Sequence, residues 1–244
     1  SSNVHRAENL LESLGAIDDR HHITRHGEAL AKLPCHPRMA QMLIKADGNA
    51  MKALATDIAA LLEERDPLSK ENDANINTRI VELRMTRQRH ALGKWKRIAM
   101  IAEQYRRMTG AKEDNGSMAP CDTGLLIASA YPERVAMLQQ DGTYKLANGE
   151  RATLAPADGL RSYDLLAIAS ADRKIFLASP VDKEEISHLA KVGERVAWDK
   201  AQGRVTATRE WRIGRIVLAS KPLDSVSHDK AASIVAQVVK DDGR

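Results

Sequence analysis

The chain has 244 residues, of which 43% are hydrophobic and 29% are charged, and its formal net charge is +4. This composition is typical of a globular protein with roughly two or three domains, and no apolar run approaches the roughly 18 residues of a membrane span. Two cysteines, Cys35 and Cys121, are too few for a disulfide framework. The N-terminal segment does not resemble a signal peptide. We therefore expect a monomeric, multidomain cytoplasmic protein with no membrane segment.

The first 36 residues combine two helical patterns with a short hairpin. Apolar residues recur at helical spacing over 4–14, and Gly15 follows where a helix usually ends. A hairpin over 16–23 precedes a second helix, for which Thr24 is a suitable N-cap. This order predicts a winged-helix domain over 1–36; a helical hairpin with an irregular connection is the alternative.

A proline-containing break separates this segment from a run of helices over 37–130. Pro34 ends one helix and Pro37 suits the first turn of the next. We therefore interpret His36-Pro37-Arg38 as a structural joint that sets the angle between two domains, with His36 and Arg38 capping or pairing there. Apolar stripes at helical spacing and short connections predict a helical bundle. Its helices are expected near 37–46, 54–62, 76–83, 98–108 and 123–130.

The pattern changes to alternating segments at residue 131. Asn148-Gly149 is a strong two-residue hairpin signal, and a short helix is predicted over 182–190, between two groups of strands. This order predicts an OB-like β-barrel domain over 131–222. The remaining segment, 223–244, is expected to be a truncated helix whose apolar face has no evident partner (Ala231, Ile234, Val235 and Val238). The predicted fold class is multidomain, α then β.

No complete catalytic motif occurs in the sequence. A phosphate-binding loop requires a glycine five residues before a Gly-Lys pair, but Gln88 occupies that position before Gly93-Lys94, and Trp95 follows. A metal site is conceivable among four residues, although ordinary surface histidines beside a turn are the favoured interpretation (His22, His26, Cys35 and His36). We expect no catalytic residue, no bound metal and no cofactor in this chain.

Positive charge is concentrated in one segment. Residues 79–107 contain nine basic and two acidic residues, a net charge of +7, which leaves −3 for the rest of the chain. Such a concentration is typical of a surface that binds a polyanion, although basic residues on helices often form only a solvated face. The candidate nucleic-acid-binding residues are Arg79, Arg84, Arg87, Arg89, Lys94, Lys96 and Arg97.

Five segments carry a resemblance to a known family. They are LESLGAIDDRHHITRHGEALAKLPCHPRMAQML, IAALLEERDPL, DTGLLIASAYPERVA, YKLANGERATL and IFLASPVD. In order and spacing they resemble the region that follows the motor domains of DEAH-box RNA helicases, most closely of the HrpB type. The resemblance implies a winged helix, a helical "ratchet" bundle and an OB-like domain that close over a strand threaded across two RecA-like motor domains. ATP and magnesium would be bound by those motor domains in the parent protein.

These observations favour an accessory region that grips single-stranded RNA or DNA and couples to RecA-like motor domains. Basic side chains on helices suit that task, because they contact phosphates without reading the base sequence. Two alternatives remain open. The chain could be a protein-docking platform for the motor or another partner, or a winged-helix DNA-binding regulator.

Overall fold

A computed structural model describes residues 2–71, 73–224 and 228–242, and it groups them into two compact units that divide between Ile186 and Ser187. The predicted α-then-β order is confirmed. The helices are α1 (Ser2–Ser13), α2 (Arg25–Ala31), α3 (Pro37–Lys45), α4 (Gly48–Glu63), α5 (Ile76–Gln88), α6 (Lys96–Thr109), α7 (Pro120–Ala130) and α8 (His228–Asp242). The strands are β1 (Val135–Leu138), β2 (Tyr144–Leu146), β3 (Arg151–Ala152), β4 (Leu165–Ala171), β5 (Ile175–Pro180), β6 (Lys191–Asp199), β7 (Arg204–Ile213) and β8 (Ile216–Pro222).

The N-terminal winged helix consists of α1, a minimal hairpin and α2. Its hairpin is closed by an antiparallel bridge between Ile17 and Ile23. The Thr24 hydroxyl accepts a hydrogen bond from the Gly27 amide at 2.9 Å, and it donates to the carbonyl oxygen of Gly15. This side chain therefore starts α2 and also fixes the hairpin against it, as the N-cap pattern predicts.

The His36-Pro37-Arg38 break starts α3 and connects it to the end of α7. His36 Nδ1 accepts from the Arg38 amide at 3.2 Å, so the predicted cap is confirmed. Arg38 donates to the Ala130 carbonyl oxygen at 2.7 Å and pairs with Glu133 at 2.6 Å. Its guanidinium also lies 4.5 Å from the ring centroid of Tyr131. One side chain at the start of α3 thus holds the C-terminus of α7 by charge, hydrogen bonding and cation–π contact.

The helical bundle is built around α4, in which every residue from Ala53 to Leu61 is buried. Helix α4 packs against α6, and α3 packs against α7. This buried run includes one acidic residue, Asp57, whose partners are described with the site below.

Strands β1–β5 form an antiparallel sheet in the order β3-β2-β1-β4-β5. The sheet curls into a half-barrel, because Thr153, just after β3, forms a parallel bridge with Lys174 beside β5. Tyr144 fills the centre, and its hydroxyl donates to the carbonyl oxygens of Leu160 and Tyr163. Burial raises the pKa of Tyr144 to about 12, which keeps the hydroxyl protonated as a donor.

The bundle and the half-barrel are joined by backbone hydrogen bonds and belong to one unit. Asn75, the N-cap of α5, forms a parallel bridge with Ala178 of β5. The Ala178 amide donates to the Ala74 carbonyl oxygen at 2.9 Å, and the Ala74 amide donates to Asp158 at 2.8 Å. The segment before α5 thus extends the edge of the sheet, so the predicted separation at residue 130 does not correspond to two independent units.

We expect Gly124→Ala to destabilise this unit. A Cβ at Gly124 would overlap the carbonyl group of Pro180, which is backbone and cannot rotate away. Overpacking of this kind costs about 1–3 kcal/mol, measurable as a lower midpoint of chemical denaturation. Gly159→Ala is the matched control, because a Cβ there would meet nothing within 4 Å and its midpoint should hardly change. Equal effects of the two substitutions would contradict the packing argument.

The second unit holds a separate three-stranded antiparallel sheet in the order β6-β7-β8. Over the predicted 131–222 domain, the structure therefore contains two sheets in different units. The helix predicted over 182–190 is wrong: the segment contains a turn and a 3-10 helix over Ser187–Leu189. A nine-residue segment is shorter than the helices that are stable without strong packing.

Helix α8 contacts β6 and β7, so the prediction that its apolar face lacks a partner is also wrong. Ala231, Ile234 and Val238 are half-buried in this contact region, whereas Val235 and Val239 are exposed. Among the residues the structure describes, no helix combines the length and apolarity needed to cross a bilayer.

Candidate nucleic-acid interface

Two of the predicted binding residues, Arg84 and Arg87, point into the bundle and share one carboxylate. Asp57 of α4 is 0% exposed. Arg84 Nε donates to Asp57 Oδ2 at 3.0 Å, while Arg87 Nη1 and Nη2 donate to Oδ1 and Oδ2 at 2.6 and 2.8 Å. The Arg87 pair is bidentate, the strongest geometry for guanidinium and carboxylate. These two arginines neutralise a buried acid.

The loop between α6 and α7 closes over this ionic cluster. Asn115 Oδ1 accepts from Arg87 Nε at 2.9 Å, and the Gly116 carbonyl oxygen accepts from Arg84 Nη1 at 2.9 Å. Beside them, Arg106 pairs with Glu113 at 3.2 Å. Burial and the neighbouring Arg87 charge lower the pKa of Arg106. Three guanidinium groups are thus held by one buried carboxylate, one half-exposed carboxylate and loop oxygens.

Arg79 is also internal, with 2% of its surface exposed. Its Nη2 lies 2.9 Å from Asp66 Oδ2, and its Nη1 donates to the Asn75 carbonyl oxygen at 3.1 Å. Asp66 lies in the segment between α4 and α5, so Arg79 ties that segment to the first turn of α5.

The prediction that Arg79, Arg84 and Arg87 contact a strand therefore needs correction, because buried, ion-paired groups cannot reach phosphates in this conformation. All three lie beside the apolar stripe of α5, and helical geometry turns them towards the core with it. One signal in the sequence could have revealed this arrangement. Asp57 interrupts an apolar run, and a buried carboxylate requires a cationic or hydrogen-bonding partner.

The other four candidates are exposed and lie close together in sequence, at the turn between α5 and α6. Arg89 is the C-cap of α5, Lys94 lies in the 3-10 helix Gly93–Trp95, and Lys96 and Arg97 begin α6. We call Arg89, Lys94, Lys96 and Arg97 the basic turn. The buried Trp95 anchors it, with Lys94 Nζ 5.8 Å from the Trp95 ring centroid.

The electrostatics of the basic turn favour an anionic ligand. The first turn of α6 contains no acidic residue, so the positive end of the helix dipole adds to the side-chain charges. Arg97 Nε lies 2.7 Å from Glu64 Oε1, but the Arg97 side chain is 80% exposed, so this pair is weak and exchangeable. Lys94 and Lys96 form no ion pair with any described acidic residue.

A cavity of about 350 Å³ between the bundle and the half-barrel does not extend this basic surface. Its lining includes Glu64, Asp66, Asp73 and Asp158 but few cations. Such a lining repels phosphates, so the cavity is not a route for a nucleic-acid strand.

The histidines near the winged helix have local partners. A ring nitrogen of His26 lies 2.5 Å from Gln41 Oε1, and His22 lies 3.7 Å from Asp18. Burial, followed by the nearby Arg38 charge, lowers the pKa of His36. Within 2–71, 73–224 and 228–242, no group of three or more His, Cys, Asp or Glu side chains is arranged to hold a metal ion.

Comparisons with known proteins match two segments of the chain to family models. Residues 7–35 match the family described as "Helicase associated domain (HA2), winged-helix", and residues 189–223 match "ATP-dependent RNA helicase HrpB, connector region". These two segments are therefore similar to accessory domains of helicases.

Over nearly its whole length the chain is similar to the ATP-dependent RNA helicase HrpB of Escherichia coli strain K12. The identity is 30% over 253 residues, covering 99% of this chain and 29% of the relative. The resemblance inferred from the sequence is confirmed: the chain resembles the C-terminal accessory region of an HrpB-type helicase. A shorter match, 33% over 72 residues, links 30% of the chain to 6% of the probable ATP-dependent RNA helicase DHR1 of Saccharomyces cerevisiae.

Two solved structures share the fold. The crystal structure of the E. coli DExH-box NTPase HrpB matches with a TM-score of 0.70 and 28% identity, covering 93% of this chain and 28% of that one. The crystal structure of the Escherichia coli DEAH/RHA helicase HrpB matches with a TM-score of 0.72 and 25% identity, covering 99% and 30%. The chain thus spans less than a third of the relatives that it matches along its length.

Proposed function

We propose that this chain is the nucleic-acid-gripping accessory region of an HrpB-type ATP-dependent RNA helicase, acting in the cytoplasm beside RecA-like motor domains of its parent. It binds single-stranded RNA or DNA through phosphates, and the motor domains bind ATP and magnesium. The observation that carries this proposal is the basic turn, a group of exposed cations between the end of α5 and the start of α6.

The basic turn suits a strand that moves. Its contacts are lysine and arginine side chains at a surface, which exchange phosphates readily and read no base. The buried cluster around Asp57 supports it from inside, because Arg84 and Arg87 fix α5 against α4 and the turn follows α5 directly. In this arrangement Arg84 and Arg87 position α5, and the side chains of the basic turn contact the strand.

Charge reversal of the basic turn tests the proposal. We expect Lys94→Glu combined with Lys96→Glu to weaken binding of a labelled single-stranded oligonucleotide at least tenfold at low salt. Each lost phosphate contact should also reduce the steepness of log K against log salt by about 0.7. Fluorescence anisotropy at several salt concentrations, with RNA and DNA strands in parallel, measures both quantities.

The matched control changes the same number of charges elsewhere in the same unit. Lys32 and Lys183 are exposed and lie outside the basic turn, so Lys32→Glu with Lys183→Glu should leave the salt dependence nearly unchanged. Equal losses in the two double variants would reduce the effect to net charge and contradict a defined interface.

A protein-docking role is the second candidate, and one observation favours it. Val81 and Met85 lie one turn apart on α5 and both are exposed, as is Met100 on α6. Exposed apolar side chains on two consecutive helices suit a partner protein, such as the motor domains. Val81→Asp with Met85→Asp should abolish capture of separately expressed motor domains if this face docks them, and retained capture would reject docking there.

A further inference from the structure

A second concentration of positive charge lies in the sheet of the second unit. Residues 191–222 contain eight basic and three acidic residues, a net charge of +5. This segment is distinct from the basic segment 79–107 of the helical bundle, and it coincides with β6, β7 and β8.

The strand register divides these charges between two faces. Residues directly opposite in an antiparallel pair share a face, and faces alternate along a strand. Arg195 lies opposite Thr208 and Asp199 lies opposite Arg204, while Lys191 lies opposite Arg212. One face therefore carries Lys191, Arg195, Arg204 and Arg212, with the acids Asp199 and Glu210.

Three of these cations form a row along the sheet. Lys191 and Arg195 are four residues apart, and Arg204 lies opposite the position four residues beyond Arg195. At 3.3–3.4 Å per residue, successive cations are separated by about 13 Å, and the row is about 26 Å long. A regularly spaced row of charges matches a linear polyanion better than a compact one.

The row lies at the surface, where Arg204 Nε donates to Gln202 Oε1 at 2.7 Å. Lys191, Arg195 and Arg204 are all exposed, and none forms an ion pair with a described acidic residue. The two acids on this face are already engaged. Glu210 lies 2.7 Å from Arg212 Nε, and Asp199 Oδ1 accepts backbone hydrogen bonds from the following turn.

The composition of this face favours nucleic acid over protein. On β6 and β7 the residues between the cations are small or bear hydroxyls (Gly193, Ala197, Thr206 and Thr208), and on β8 this face carries Val217, Ser220 and Pro222 but no aromatic residue. Protein interfaces depend on buried aromatic and apolar anchors, whereas phosphate recognition uses Lys, Arg and hydroxyl donors. The large apolar residues of β6 and β7 lie on the opposite face: Val192, Val196, Trp198, Val205 and Trp211.

We propose that the face carrying Lys191, Arg195 and Arg204 is a second nucleic-acid-binding surface, which contacts phosphates spaced along a single strand. It lies on a different unit from the basic turn and is independent of it.

The test uses the whole chain with Lys191, Arg195 and Arg204 each replaced by glutamate. We expect binding of a labelled single-stranded RNA to weaken at least tenfold at low salt and the salt slope to fall by about 2, which is roughly 0.7 for each of three phosphates. The matched control reverses three exposed charges of the same unit outside the row, Lys200, Arg215 and Lys230, and should retain the slope. Photo-crosslinking of the unmodified chain should give RNA adducts on β6 and β7.

The outcomes distinguish RNA binding at this surface from binding elsewhere and from binding of an acidic protein. Unchanged affinity and slope in the triple variant, with crosslinks elsewhere, would overturn the proposal. Loss of binding to a polyglutamate peptide but not to RNA would overturn it in favour of an acidic protein partner. If the Lys94/Lys96 variant binds RNA normally while the triple variant does not, the basic turn is rejected as a binding site and the surface on β6 and β7 is supported. If the triple variant binds normally while the Lys94/Lys96 variant does not, the surface on β6 and β7 is rejected and the basic turn is supported.

Discussion

Asp57→Asn is expected to lower the free energy of unfolding by about 3–5 kcal/mol, because it leaves two buried cations without their counter-charge. Asparagine keeps the size of the side chain but can neutralise neither Arg84 nor Arg87, both of which donate to the Asp57 carboxylate. Their guanidinium groups cannot turn to solvent without opening the bundle. Chemical denaturation followed by far-UV circular dichroism measures the loss.

Two further variants separate the ionic effect from a general effect of mutation. Glu103→Gln removes a partner of Arg107, but both side chains are at least half exposed, so the loss should stay below about 1 kcal/mol. Replacing Asp57, Arg84 and Arg87 together by apolar residues of similar size should recover part of the stability lost in Asp57→Asn, because no uncompensated charge remains. A loss below about 1 kcal/mol for Asp57→Asn would contradict the buried cluster.

The parts of the fold that depend on local chemistry could be predicted from the sequence. Thr24 caps α2, Pro37 begins α3, and Gly110, after α6, has a positive φ of 72°. Asn148-Gly149 forms the turn before β3, with a φ of 91° at Gly149. In each case the residue fixes its own backbone or that of its neighbours, so no distant contact is needed.

The candidate site was only partly predictable, because the direction of an arginine depends on acids far along the chain. Arg79 and Arg89 belong to the same basic run, yet Asp66 holds Arg79 inside and Arg89 is exposed. Sequence spacing brings Arg79 beside the apolar stripe of α5 but cannot place Asp66 next to it. The division of the β region into two sheets likewise depends on which strands pair, since local patterns alone do not determine pairing.

Substitution by methionine at Arg79 and at Arg89 should separate a structural role from a binding role. Arg79→Met is expected to cost about 3 kcal/mol of stability, because Asp66 and the Asn75 carbonyl oxygen lose their donor in a largely buried site. Asp66 is partly exposed and regains some hydration, which keeps the loss at the lower end of the range for buried pairs. Methionine retains a long, flexible stem and good helix propensity, so the change isolates the guanidinium.

Arg89→Met, at the exposed C-cap of α5, is expected to leave stability within about 0.5 kcal/mol of the wild type. It should instead reduce the salt slope of single-strand binding by about 0.7, the contribution of one phosphate. Arg79→Met should retain the full slope at a temperature where the variant is still folded, since its guanidinium does not reach the surface. Denaturation midpoints and anisotropy titrations on the same preparations measure both properties. A reduced slope in Arg79→Met, or an unchanged slope in Arg89→Met, would contradict the assignment of inner arginines to structure and outer ones to the strand.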